Sequence, residues 1–130
     1  MHHIKEQEVN IWIVFSNDRS YAWWHWLTKE GFRHCFILIK AGKGTYQMNF
    51  IKMGVQVAYW DYPIQQCLGE CHQAGMKISS YKACYKNMNR LYLHLLTCVG
   101  LTKATMGIWE PFIWTPYQLY KWLERENVAN

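Results

Sequence analysis

Proline is scarce in this chain: Pro63, Pro111 and Pro116 are the three in 130 residues. With no repeat and no Gly/Ser-rich tract beside them, the sequence offers no linker and no low-complexity segment. It reads as a single domain over 1–130. Charge is also scarce. Charged residues make up 18% and apolar ones 51%, which excludes an intrinsically disordered chain. No apolar run approaches the roughly 20 residues of a membrane-crossing helix, so no membrane span is expected. Met1 to Asn10 is polar and lacks the apolar core of a secretory signal. The expectation is a protein that is cytoplasmic when synthesised, with its thiols reduced. Fourteen Lys and Arg against nine Asp and Glu give a net charge of +5. That balance favours an acidic partner or an anionic wall polymer. The cations are scattered from Lys5 to Arg125 without a dense cluster or a nucleic-acid-binding signature, so nucleic acid ranks last among partners.

Aromatics are abundant: eight Trp, nine Tyr and five Phe. They suffice for a core and leave some on the surface, where exposed aromatics mark contact sites. Five Cys, an odd number, argue against a complete disulfide framework.

Hydrophobic periodicity predicts an α+β domain. Val9 to Phe15 alternates as a strand, and Ser16 to Ser20 is a turn or a helix entry. Tyr21 to Thr28 offers one or two helical turns before Gly31. His34 to Lys40, Thr45 to Ile51 and Val55 to Trp60 form a three-stranded meander, with Ala41 to Gly44 as a hairpin loop. Tyr62 to Gln73 is a helix with Pro63 in its first turn, and Met76 to Ala83 is a further strand. Leu91 to Leu96 is a strand or the approach to a helix over Cys98 to Met106, which Gly107 stops. The last helix has the fullest signature: Thr115 as N-cap, Pro116 at the first position and Gln118 three residues after the cap. Lys121 and Arg125 are placed towards its C-terminus.

The chemistry concentrates on Cys98 and His34. A thiol opening a helix feels the positive end of the helix dipole, which favours the thiolate. Thr97 is placed to cap that helix. A histidine on a rigid strand serves as base or ion-pair partner. The strand following His34 supplies polar side chains to orient its ring, Asn49 first and Gln47 second, both on one face. The Cys98 N–H is a natural oxyanion donor, and the sequence names no second one. This pattern suggests a cysteine hydrolase with His before Cys.

The order of His34, a polar residue on the next strand and Cys98 opening a late helix resembles the circularly permuted NlpC/P60-like branch of the papain-like superfamily. Trp23-Trp24-His25-Trp26-Leu27 with Gly31-Phe32-Arg33-His34-Cys35 is similar to small phage and bacterial proteins of that kind. So are Thr97-Cys98-Val99 with Lys103 and Met106-Gly107-Ile108, then Thr115-Pro116-Tyr117-Gln118-Leu119-Tyr120. The similarity runs from Trp23 to Leu123 and is weakest over Tyr62 to Asn89. It implies a permuted papain-like fold, Cys98 and His34 as a catalytic dyad, and Asn49 as the third residue where many relatives carry an acid. It also implies no cofactor, and a thiol protease or amidase acting on peptide or peptidoglycan amide bonds. Some members of the family are held to be structural, so a bacteriophage virion protein binding other phage structural proteins is the alternative.

Each of these residues also has a plainer reading. Cysteine is among the most buried residue types, and Cys98 alone is more readily packing than chemistry. His34 alone fits a strand-end histidine, and Asn49 a turn residue. Cys35, next to His34, faces the opposite side of the strand and reads as core. Cys67, Cys71, His72 and Cys84 include a helical i, i+4 pair, but no CxxC knuckle, so no metal is expected. Trp23, Trp24 and Trp26 read as core and one wall of a groove beside His34, with His25 as an exposed helix residue.

Overall fold

The computed structural model describes residues 7–17, 29–51, 54–85, 98–108, 110 and 112–129. The expected turns over Tyr21 to Thr28, the Trp23, Trp24 and Trp26 cluster with His25, the run Leu91 to Leu96 and the cap at Thr97 lie outside these residues. So does the side chain of Cys84.

The described residues form an α+β structure with a five-stranded antiparallel sheet and three helices. The strands are β1 (Gln7–Ser16), β2 (His34–Ala41), β3 (Gly44–Ile51), β4 (Gly54–Trp60) and β5 (Lys77–Tyr85). The helices are α1 (Ile64–Gln73), α2 (Cys98–Met106) and α3 (Pro116–Ala129). The sheet order is β4-β3-β2-β1-β5, so β2, β3 and β4 form the expected meander. The chain then crosses through α1 and adds β5 on the far side of β1.

Strand β1 shows why the sheet sorts its helices. Its alternation sends Ile11, Ile13 and Phe15 into one buried cluster and Val14 into another, as a period-two strand covered on both faces must. The first cluster takes Cys35 and Ile37 from β2, and Cys98, Val99, Leu101, Leu119 and Leu123 from α2 and α3. The second takes Phe36 and Leu38 from β2 with Ile64 from α1. Thus α2 and α3 cover one face and α1 the other.

Local signals place the helix ends. The Thr115 hydroxyl accepts from the Gln118 N–H at 3.2 Å, while Gln118 Oε1 accepts from the Thr115 N–H at 3.2 Å and the Trp114 N–H at 2.8 Å. This reciprocal capping box starts α3 where the sequence predicts. Gly107, with φ of 74°, ends α2; its left-handed backbone suits a residue without Cβ. One expectation shifts. Pro63 sits one residue before α1 as its N-cap, in extended conformation, rather than inside the first turn. Lys121 and Arg125 lie within α3, which continues to Ala129 and has no basic residue in its last turn. No glycine or proline follows Leu123 to stop the helix.

Lys103 ties the end of α2 to the following loop. Its ammonium donates to the carbonyls of Glu110 at 2.9 Å and Ile113 at 2.8 Å. Burial pulls its pKa down, partly offset by the Glu110 charge. Among the described residues, no helix is long and apolar enough to cross a membrane.

Candidate active site

Cys98 is the first residue of α2 and is buried at the start of that helix. The four N–H groups of a first turn lack intrahelical acceptors, so a negative charge is favoured there. Helix α2 lies on the face of β2 that carries Cys35 and Ile37. Cys98 therefore rests against the first residues of that strand.

His34 opens β2 and pairs across to Ser16 of β1. The ladder between β2 and β3 runs from Ala41–Gly44 to Ile37–Met48 and does not continue to His34. Beyond its end, side chains make the link: His34 Nε2 and Asn49 Oδ1 are 2.5 Å apart. An amide oxygen can only accept, so Nε2 donates, and in the neutral ring Nδ1 is left as the basic nitrogen. Of the two orienting candidates the structure thus selects Asn49. Gln47, on the same face, accepts instead from the Trp60 indole N–H at 3.0 Å.

Cys98 titrates well below the usual thiol range. The largest cause is a hydrogen bond from the Cys35 side chain. Burial opposes it, and hydrogen bonding and positive charge from His34 lower it further. Cys35 is pushed well above the usual range, first by burial and then by Cys98 itself. The two thiols share one ionisation. The charge belongs on Cys98, which has the helix N-terminus and His34, while Cys35 keeps its proton in the core.

Cys35 lies where the sequence places it. It is core, at 1% exposure, and it does point to the side of β2 opposite the one alternation assigns to His34. That side is where α2 packs, so Cys35 is a direct neighbour of Cys98. A nearby hydroxyl completes the group. Thr102, one turn along α2, donates to the Cys98 carbonyl at 2.8 Å and lies 3.4 Å from Cys35 Sγ. Its place at i+4 from Cys98 was the available sequence signal.

Cys67 and Cys71 pack from α1 against the cluster on the other face of the sheet, and His72 is exposed. Among the described residues, no three His, Cys, Asp or Glu side chains assemble into a possible metal site.

The His34–Asn49 bond gives a direct prediction. Asn49→Leu removes the acceptor from a buried imidazole N–H, and should cost about 1–3 kcal/mol in stability. Asn49→Asp keeps an acceptor and adds a charge that strengthens it. Urea unfolding of both variants checks this. Equal loss in both would mean that the bond does not hold His34.

Comparison with family models, curated proteins and solved structures finds no match for this chain, so the functional reading rests on the geometry of these residues and on the sequence resemblance.

Proposed function

We propose that this protein is a cysteine hydrolase of amide bonds with a permuted papain-like, NlpC/P60-like arrangement. The observation that carries the reading is the convergence at the N-terminus of α2: a Cys98 thiol held towards its thiolate beside His34, whose far nitrogen is held by Asn49. Cys98 attacks the amide carbon, and its N–H helps hold the oxyanion. His34 gives a proton to the leaving amine, then takes one from the water that releases the acyl group. Asn49 fixes the ring but brings no negative charge, so it stabilises the imidazolium less than an acid would. The substrate class, a cell-wall peptide, comes from the resemblance and from the net positive charge suited to an anionic polymer.

The test is hydrolysis of purified peptidoglycan and its stem peptides, followed by chromatography and mass spectrometry. New amide-bond cleavage products should form with the native protein and vanish with Cys98→Ser. Products that persist in Cys98→Ser, or their absence with the native protein, would remove the hydrolase reading.

A second reading has its own observation. The apolar face of the sheet continues past the helices onto β3 and β4, where Tyr46, Val55, Val57 and Tyr59 are exposed. Tyr46 and Tyr59 meet there at a steep tilt, with ring centroids 5.1 Å apart. Apolar surface of this kind suits a protein contact, and it favours a virion or accessory protein that keeps the fold without catalysis. In that reading Cys98 is inert packing, and its thiol does not react faster than Cys35.

A further inference from the structure

We propose that Cys35 is a resolving thiol for Cys98: a hydroperoxide oxidises Cys98 to a sulfenic acid, and Cys35 captures it as a reversible disulfide that withdraws the nucleophile from use. The proposal rests on the reading of Cys98 as a reactive thiolate and adds a second reaction at the same sulfur.

The geometry carries it. Cys35 and Cys98 reach the same buried cluster from a strand and from a helix N-terminus. Thr102 touches both, through the Cys35 sulfur and the Cys98 carbonyl. Both are free thiols. Their exposures differ in the useful direction, 9% for Cys98 and 1% for Cys35. An oxidant from solvent meets Cys98 first, while Cys35 lies buried behind it. Among the described thiols, Cys67 and Cys71 pack on the opposite face of the sheet and cannot compete.

The chemistry balances in two steps. The Cys98 thiolate attacks one oxygen of the hydroperoxide. The O–O bond breaks, the alkoxide leaves and takes a proton as an alcohol, and Cys98 becomes the sulfenic acid. Cys35 then attacks the Cys98 sulfur. The S–O bond breaks, hydroxide leaves, and the Cys35 proton converts it to water. Two thiols and one hydroperoxide give one disulfide, one alcohol and one water. Proximity compensates for the reluctance of a buried thiol to ionise. Moreover, Cys98 carries no charge once it is the sulfenic acid, so the repulsion that helped keep Cys35 protonated is gone. A cellular dithiol reverses the bond by exchange.

The experiment treats the native protein with hydrogen peroxide in molar excess, enough to carry an unresolved thiol past the sulfenic acid, then measures intact mass, maps peptides and reads iodoacetamide labelling of Cys98. The expected result is loss of two hydrogens, a Cys35–Cys98 linked peptide, and labelling that disappears and returns with dithiothreitol. In Cys35→Ser, Cys98 should gain two oxygens as the sulfinic acid, and labelling should not return. A sulfinic Cys98 without the linked peptide in the native protein overturns the proposal. If Cys35→Ser does not fold, dimedone added to the native protein during oxidation decides. A minor Cys98 adduct beside a dominant disulfide supports resolution, and a dominant adduct overturns it. The two readings fail differently. If Cys98 labels at mildly acidic pH but forms no disulfide, only the resolving role falls. If Cys98 neither labels nor oxidises, both fall.

Discussion

Iodoacetamide should label Cys98 at mildly acidic pH, while Cys35, whose thiol burial pushes well above the usual range, stays unlabelled there. Alkylation follows the thiolate fraction, and the thiolate of Cys98 persists because Cys35 donates to it and His34 adds a hydrogen bond and charge. His34→Ala removes two of these causes. Each pKa unit regained is worth a factor of ten in thiolate below the pKa, so labelling at mildly acidic pH should fall about tenfold or more. The same shift acts on stability. The folded pKa of Cys98 lies below its unfolded value, so its contribution is complete above the unfolded thiol's pKa and declines as pH falls through the folded one. Denaturation of the native protein and Cys98→Ser across that window should show a stability difference that narrows as pH falls. Cysteine-by-cysteine mass spectrometry gives the rates. Labelling of Cys98 no faster than Cys35, or a His34→Ala rate equal to the native one, would leave the dyad without chemical support and favour the virion-structural reading.

Phe15→Ala should be among the most damaging single changes to the fold. Phe15 has no exposed surface and stands opposite Cys35 in the β1–β2 register. Its ring meets Phe32 at 5.7 Å and Tyr120 at 5.3 Å between centroids. It therefore joins β1, the approach to His34 and α3 in one contact. Truncating a buried phenylalanine costs about 3–5 kcal/mol, a large part of the roughly 5–15 kcal/mol that holds a domain folded. For a chain of this size that corresponds to a fall in Tm of roughly 10–20 °C. Calorimetry reads it directly, and a shift of only a degree or two would show that this cluster is not the mechanical centre. A companion effect is expected at the site. Loosening β1 against β2 exposes Cys35, so its labelling should rise before global unfolding.

Most of the fold was legible because its signals are local. The strand alternation of Val9 to Phe15, the Gly42 turn, the capping box at Thr115 and the Gly107 stop each act over a few residues, and each lies where expected. The misplacement fell where the local signal is ambiguous: Pro63 suits a cap as well as a first turn.

The candidate site divides in the same way. Sequence by itself determined that a cysteine opens a helix, that a histidine opens a strand, and that two polar residues on the next strand share a face. Those facts follow from periodicity and from chain order. Tertiary structure decided the rest. It gave Gln47 to the Trp60 indole and left Asn49 for His34, because the β2–β3 ladder ends before His34 and side chains make the remaining contact. It also turned Cys35 from a core residue into a neighbour of Cys98. Alternation says which side of a strand a residue faces, but only the packing of α2 decides what stands on that side.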